Sequence, residues 1–185
     1  MKLHKPNFKA LGSKFKAGFT YLSKGGLQQI FKHIDQLSIK KGVDELGLEK
    51  FINQCALLAA GSGVIIGAGG LATIAIGVPL DMINLITQQF RVTLAVSYHN
   101  TGKYEIRFED FIKIVAASFK KDAGVTITKN LLKEVAEKLM INIGSKTAER
   151  LIPVVGAVIG GSANYFFIKR VAKGLMDQPL TTPRV

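Results

Sequence analysis

The chain has 185 residues, a formal net charge of +12, and 48% hydrophobic residues against 21% charged residues. This balance excludes an intrinsically disordered chain, and the length is sufficient for one domain with a sizeable buried core. The positive charge favours an acidic partner: anionic lipid, nucleic acid or an acidic protein surface. The single cysteine, Cys55, excludes an intrachain disulfide and is typical of a small buried hydrophobic residue.

The first 32 residues carry seven lysines and no acidic residue. Apolar side chains recur among them at positions 8, 11, 15, 19 and 22, which predicts one apolar stripe on a basic amphipathic helix. Such a helix lies in an anionic membrane interface, docks on the protein body with its lysines in water, or, as the least favoured interpretation, binds nucleic acid. The residues predicted to contact a membrane or partner are Lys5, Phe8, Lys9, Phe15, Lys16 and Phe19.

A helix predicted over residues 38–54 leads into a stretch, residues 51–102, in which Asp81 and Arg91 are the only formal charges. The segment Cys55–Ile76 has the length and apolarity needed to cross a bilayer. Every polar flank of the stretch is positively charged, and this disfavours a lone crossing. An even number of crossings, a re-entrant hairpin and a close-packed soluble core remain open.

Pro79 separates the glycine-rich part of this stretch from a long helix predicted over residues 80–99. Four polar residues of this helix are three or four positions apart and therefore share one face. Because most other positions are apolar, we expect a buried helix whose polar face is paired with other helices or with water. The four residues are Asp81, Asn84, Gln88 and Arg91.

The next part of the chain has the pattern of solvated amphipathic helices. A turn at residues 100–102 precedes helices predicted at residues 108–119 and 127–143. The last eight residues contain two prolines and predict an irregular tail. The expected division is a basic amphipathic segment at 1–43, a helical domain at 44–176 and a tail at 177–185.

A second uncharged segment, residues 151–168, also contains glycines. Gly156 and Gly160 lie four residues apart, as do Gly63 and Gly67 in the first segment. This GxxxG spacing occurs where helices approach closely in membranes, and small residues serve the same purpose in soluble cores. We therefore predict that the two segments pack closely against each other through these four glycines.

The block from Ile152 to Arg170, IPVVGAVIGGSANYFFIKR, resembles the signature ending of the EcsC family. The glycine-rich block that runs into Asp81 and the long helix is similar to the family's central region, although here the proline precedes the acidic residue. The resemblance covers about residues 51–176. It implies an all-helical, membrane-associated bacterial protein whose founding relatives are encoded with an ABC transporter. The positions it marks are Asp81, Gly156, Gly160 and Asn164.

Motifs of the main enzyme classes are absent from the sequence. His4, His33 and His99 have no metal-ligand spacing, no serine lies in a GxSxG motif, and Cys55 has no nearby histidine. We therefore expect no metal and no cofactor, and a protein without enzymatic activity is favoured over an enzyme. Asp81 is either a functional carboxylate in an apolar environment or an ordinary acidic residue at a helix N-terminus. A hydrolase that uses Asp81 is the less favoured alternative.

These patterns together predict an all-α protein: a compact helical bundle with two glycine-rich apolar helical segments and a basic amphipathic N-terminal helix. The predicted function is membrane association through anionic lipid or a membrane-protein partner, as a transport accessory, membrane-remodelling factor or insertion-type effector. The alternative is a soluble helical module that binds an acidic protein. Nucleic acid is disfavoured because no recognised nucleic-acid-binding motif is present. A cytoplasmic location, at the inner face of the membrane, is expected, and a homo-oligomer remains open.

Overall fold

A computed structural model describes residues 20–61, 80–119, 135–136 and 156–177. Within these ranges the chain forms six α-helices and no β-strand, which confirms the predicted all-α class. A π-helical turn at Leu22–Gly26 precedes the first of them. The helices are α1 (Leu27–Lys32), α2 (Gln36–Leu46), α3 (Leu48–Ala60), α4 (Leu80–Thr101), α5 (Phe108–Phe119) and α6 (Gly156–Met176).

Helix α4 is the central element of the described fold. It packs against both α3 and α6, which also contact each other, and α1, α2 and α5 are further neighbours. A helix enclosed in this way needs apolar residues on several faces, unlike a surface helix with one apolar stripe. Ile83, Ile86 and Phe90 accordingly have no exposed surface.

The start of the described chain belongs to the same core as the later helices. Leu22, the last residue of the predicted N-terminal apolar stripe, is buried together with Ile30 and Phe31. The stripe positions 8, 11, 15 and 19 lie outside the described residues. The predicted boundary between residues 43 and 44 falls inside α2.

Residues 38–54 do not form the single helix that their apolar spacing predicts. Gly47 has φ +80°, a conformation that favours glycine, and it divides the segment into α2 and α3. At its other end α2 is capped by Asp35, whose carboxylate accepts hydrogen bonds from the Ser38 amide at 3.1 Å and hydroxyl at 2.6 Å. These bonds hold the pKa of Asp35 below its ordinary value.

A small exposed cluster holds α2 beside α4. The Tyr98 hydroxyl donates to one carboxylate oxygen of Asp44 at 2.7 Å, and Lys40 forms an ion pair with the other. The Lys40 ammonium also lies 5.6 Å from the centroid of the Tyr98 ring. The bonds from Lys40 and then from Tyr98 lower the pKa of Asp44. Because the cluster is exposed to water, its role is chiefly to orient the two helices.

Two of the three residues of the predicted turn at 100–102 belong to α4 instead, and one side chain anchors the loop that follows. Gly102 follows the last residue of α4 and has φ +71°, a conformation that favours glycine. The Gln36 amide donates to the Ile106 carbonyl at 3.0 Å and accepts from the Ile106 amide at 2.9 Å. This paired contact binds the loop to the start of α2 and sets the direction from which α5 enters.

Four aromatic rings join α1, α4 and α5. Phe111 lies 4.6 Å from Phe90 and 4.9 Å from Phe31, measured between ring centroids. Phe108 adds a further contact with Phe31 at 5.5 Å. Both Phe90 and Phe111 have no exposed surface. The rings are tilted or edge-on, the geometries that aromatic pairs prefer, so this cluster connects α5 to α1 and α4.

The helices of the two apolar segments do not end where the composition of those segments predicts. Helix α3 ends at Ala60 and Gly61 is extended, so Cys55–Ile76 is not one continuous helix. Helix α6 instead continues through Lys169 and Arg170 to Met176. Among the described residues, no helix combines the length and apolarity needed to cross a membrane.

Two helical glycines lead to opposite expectations on substitution by alanine. A Cβ at Gly42 would lie 2.7 Å from two ring carbons of Phe51, which is buried, whereas a Cβ at Gly174 would meet nothing within 4 Å. Gly42→Ala should therefore lower the free energy of unfolding by about 1–3 kcal/mol. Gly174→Ala should raise it by up to about 1 kcal/mol, because alanine is the better helix former.

Urea denaturation of both glycine variants and the unchanged protein measures these differences. Gly174→Ala is the matched control, since it makes the same chemical change in a helix without a close neighbour. A Gly42→Ala protein as stable as the Gly174→Ala protein would contradict the close approach of α2 and α3.

Candidate functional site

Three side chains of α4 form a continuous line of hydrogen bonds, called here the polar ladder: Asn84, Gln88 and Arg91. The Arg91 guanidinium donates from Nη1 to Gln88 Oε1 at 3.1 Å, and Gln88 Nε2 donates to Asn84 Oδ1 at 3.1 Å. Asn84 Nδ2 then donates to the carbonyl oxygen of Leu58 on α3 at 2.9 Å. The spacing of four and three residues places these groups on one face of the helix, as the sequence predicts.

A fourth polar side chain reaches the same end of α3 from a different helix. Asn164 on α6 donates from Nδ2 to the carbonyl oxygen of Ala59 at 2.9 Å. Together, the bonds from Asn84 to Leu58 and from Asn164 to Ala59 form what we term the amide clamp. Both amides are buried, with exposed fractions of 7% for Asn84 and 6% for Asn164.

The amide clamp satisfies backbone groups that an α-helix leaves without partners. The last four carbonyls of a helix have no intrahelical donor, and many helices satisfy some of them with a glycine in the left-handed conformation. Gly61 is instead extended, with φ −74°, although its amide still donates to the Leu57 carbonyl at 2.9 Å. Asn84 and Asn164 therefore supply the next two donors that this helix end requires.

The amide clamp lies next to an uncharged, glycine-rich part of the sequence. The clamped residues, Leu58 and Ala59, lie just before the glycine-rich segment 62–79, which contains no charged residue. The two amides come from α4, which follows that segment, and from α6, which carries Gly156 and Gly160. Residues of α4 and α6 thus fix the end of α3, after which that segment begins in the sequence.

The other end of the polar ladder lies against an aromatic ring and the cysteine. The Arg91 guanidinium is 5.4 Å from the centroid of the Phe51 ring, within the range of a cation–π contact. Burial raises the pKa of the Cys55 thiol to about 11, and the charge of Arg91 offsets only part of this effect. The thiol therefore remains protonated near neutral pH, and this disfavours Cys55 as a nucleophile or metal ligand.

A second polar contact joins α3 and α6 at half-buried side chains. Asn53 Oδ1 accepts hydrogen bonds from Lys169 Nζ at 2.7 Å and from the Tyr165 hydroxyl at 3.4 Å. Asn53 is on α3, and Tyr165 and Lys169 are one turn apart on α6. With the amide clamp, this contact determines how the two helices are aligned.

The structure brings together only some of the predicted site residues. Asn84, Gln88, Arg91 and Asn164 meet around α3, whereas Asp81 is known only as the second residue of α4, since its side chain is not described. Gly156 opens α6 and Gly160 lies one turn later. The other candidates lie outside the described residues: Lys5, Phe8, Lys9, Phe15, Lys16, Phe19, Gly63 and Gly67.

The residues missed by sequence reasoning are those that receive hydrogen bonds. Leu58 and Ala59 take part through backbone carbonyls, which every residue carries and no sequence pattern distinguishes. Asn53 is one polar position on a helix surface, with no spacing that marks it. Its pairing with Lys169 depends entirely on how α6 lies beside α3.

The side chains of the polar ladder can form hydrogen bonds but carry no group suited to proton transfer. Amides do not titrate and a guanidinium stays charged, so Asn84, Gln88 and Arg91 cannot act as a general acid or base near neutral pH. Within the described ranges, no group of three or more histidine, cysteine or acidic residues is placed to hold a metal ion.

No protein-family model, curated protein or solved structure matches the chain. The resemblance of residues 152–170 to the EcsC family therefore stays a prediction from the sequence.

Proposed function

We propose that this chain is a membrane-associated helical protein, without enzymatic activity, that binds anionic lipid and presents its glycine-rich segment to the bilayer or to a membrane-protein partner. The observation that carries the proposal is the amide clamp on Leu58 and Ala59, directly before the uncharged residues 62–79. Membership of the EcsC family is part of the same proposal.

The clamp suits a helix end that borders lipid. Hydrocarbon offers no hydrogen bonds, so a backbone carbonyl facing it must be satisfied within the protein. Water would satisfy the carbonyls of Leu58 and Ala59 equally well at an ordinary surface. Two buried amides from separate helices supply these bonds without water, which supports a role at an apolar boundary.

The charge of the chain supports anionic lipid as the partner. The net charge is +12, and the first 32 residues contribute seven lysines without an acidic residue. Lysines interleaved with Phe8, Phe15 and Phe19 are typical of segments that lie in an anionic membrane interface. Lysine at such an interface attracts phosphate groups without requiring a fixed geometry.

Flotation with vesicles tests the proposal directly. The full chain should float with vesicles of phosphatidylglycerol and phosphatidylcholine and remain at the bottom with phosphatidylcholine alone. Binding that high salt removes would indicate surface attachment, while resistance to salt and to alkaline washing would indicate insertion. Failure to float with the anionic vesicles at low salt would overturn the proposed function.

Charge-reversal variants locate the lipid contact. Lys5→Glu/Lys9→Glu/Lys16→Glu should reduce the bound fraction about ten-fold, because each basic residue near the membrane contributes to electrostatic attraction. The matched control reverses three exposed lysines of the described fold, Lys32, Lys41 and Lys103. Equal losses in both triple variants would show that only the net charge matters and would contradict a specific lipid contact at Lys5, Lys9 and Lys16.

A further inference from the structure

Leu57 and Phe166 are the most exposed large apolar side chains of the described residues, and Met176, the last residue of α6, is 48% exposed. Leu57 on α3 is 63% exposed and Phe166 on α6 is 65% exposed. The Phe166 ring packs edge-on against the half-buried Tyr165, with 5.6 Å between the ring centroids. We call the exposed surface around these residues the α3–α6 face, defined by Lys50, Leu57, Phe166, Lys169, Arg170 and Lys173.

The hydrogen bonds between α3 and α6 show that the two helices run antiparallel. Asn53 contacts Lys169, whereas Ala59, further along α3, contacts Asn164, which comes earlier on α6. The end of α3 therefore lies beside Asn164, near the middle of α6. Leu57 is one turn beyond Asn53, so it lies near the end of α3, which residues 62–79 follow in the sequence.

Cationic side chains follow the apolar ones along both helices, away from that end. Arg170 is one turn after Phe166, about 6 Å along the axis, and Lys173 is about 10 Å from Phe166. On α3, Lys50 is two turns before Leu57, also about 10 Å along the axis. Lys50, Arg170 and Lys173 are exposed, and Lys169 is half-buried.

The part of the α3–α6 pair that carries these cationic groups also has two exposed carboxylates, Glu49 and Asp177. Four cationic groups against two acidic ones leave an excess of two positive charges. From the end of α3 outward, the α3–α6 face therefore changes from uncharged, through exposed leucine and phenylalanine, to cationic.

We propose that the α3–α6 face is a second lipid-contact surface, which seats Leu57 and Phe166 in an anionic bilayer and places Arg170, Lys173 and Lys50 against the phosphate groups. The order of chemistry along the face matches the order of depth in a bilayer, in which acyl chains lie beneath charged headgroups. Long cationic side chains extend toward the headgroup level while their stems cover apolar surface. This inference rests on the proposed function and adds an orientation to it.

An acidic protein partner would complement the positive charges of the α3–α6 face. It would not explain why the cationic side chains lie on one side of the apolar ones. A protein interface typically encloses its apolar anchors in a centre surrounded by polar groups on all sides. On the α3–α6 face, the cationic groups instead lie on one side of Leu57 and Phe166, and the end of α3 lies on the other. A bilayer with depth-dependent polarity accounts for this arrangement.

Paired substitutions test the apolar part of the face. Leu57→Gln/Phe166→Gln should lower the fraction bound to anionic vesicles about ten-fold, because two apolar side chains no longer enter the interface. The matched control is Leu37→Gln/Tyr104→Gln, since Leu37 is 45% exposed and Tyr104 38% exposed elsewhere on the fold. It should bind within about two-fold of the unchanged protein. Both variants should keep the thermal midpoint of the original, because the replaced side chains are exposed.

A fluorescent label tests the orientation independently of any loss of binding. An environment-sensitive dye is attached to a Phe166→Cys variant in a Cys55→Ala background, and a Leu37→Cys variant serves as the control. The emission of the dye at position 166 should shift to the blue with anionic vesicles, and the emission of the dye at position 37 should not.

Charge reversal tests the cationic part of the face. Arg170→Glu/Lys173→Glu should weaken vesicle binding about ten-fold at low salt and less at high salt, where charges are screened.

The outcomes separate the two proposals. If the unchanged protein floats but position 166 does not shift and the glutamine pair binds normally, the α3–α6 face is overturned while the proposed function stands. If the unchanged protein does not float, both proposals fail. A blue shift at position 166 without vesicles that increases with protein concentration would assign the face to a second copy of the chain and overturn the lipid assignment.

Discussion

Replacing Phe111 by alanine is expected to lower the free energy of unfolding by about 3–5 kcal/mol, the largest effect among the single substitutions considered. Phe111 has no exposed surface, and its ring contacts both Phe90 and Phe31. Truncation removes the buried area of the ring and leaves a cavity between α1, α4 and α5. For a chain of this length, the thermal midpoint should fall by roughly 10 °C.

Phe166→Ala is the matched control for Phe111→Ala. It makes the same chemical change at a side chain that is 65% exposed, so the free energy of unfolding should change by less than about 0.5 kcal/mol. Urea denaturation followed by circular dichroism measures both variants. Similar losses in the two proteins would contradict the position of Phe111 in the core and the exposure of Phe166.

Removing the amide clamp is expected to have the second large effect. Asn84→Ala and Asn164→Ala each leave a backbone carbonyl of α3, that of Leu58 or Ala59, without its side-chain donor. An unsatisfied buried acceptor costs about 1–3 kcal/mol, so the double variant should lose about 2–6 kcal/mol. The Asn84 change also breaks the polar ladder, because Gln88 loses its acceptor.

Gln54→Ala controls for the loss of a side-chain amide, since Gln54 is exposed on the same helix α3. Its free energy of unfolding should change by less than about 0.5 kcal/mol. Denaturation by urea, with the slope compared across the variants, provides the measurement. Clamp variants as stable as the Gln54→Ala protein would show that the carbonyls of Leu58 and Ala59 gain their partners elsewhere.

An Asn164→Asp variant makes the test of the clamp sensitive to pH. Only the protonated carboxyl can donate to the Ala59 carbonyl, and burial also disfavours the charged form, so the pKa in the folded state should exceed the unfolded value of about 4. The stability of the variant relative to the unchanged protein should therefore be highest below pH ~4 and decrease as the pH rises through the folded pKa. A pH-independent difference between the two proteins would contradict the role assigned to Asn164.

The helices whose ends depend on local chemistry agree with their predicted positions. The range 108–119 follows from its apolar spacing and its acidic first turn, and the structure has the same bounds. Helix α4 begins directly after Pro79 and ends two residues beyond the predicted His99. Nearest-neighbour effects such as proline geometry and hydrophobic spacing determine these positions, and they are visible in one sequence.

The incorrect helix boundaries have physical causes that extend beyond one turn of helix. The positive φ of Gly47 divides a segment whose apolar spacing continues across the break, because α2 and α3 pack as separate elements. The backbone of Gly61 is extended where apolar composition predicts that a helix continues. Glycine permits both conformations, and tertiary packing decides between them.

The sequence alone determined that this protein is all-α, that Asn84, Gln88 and Arg91 share one face of α4, and that an uncharged glycine-rich segment lies between basic flanks. These properties follow from composition and from a period of 3.6 residues, which are local. The tertiary structure alone decided that Asn84 and Asn164 meet at the end of α3, and that Leu57 and Phe166 remain exposed. A backbone acceptor and an uncovered side chain have no sequence signature, because both depend on which helix lies beside which.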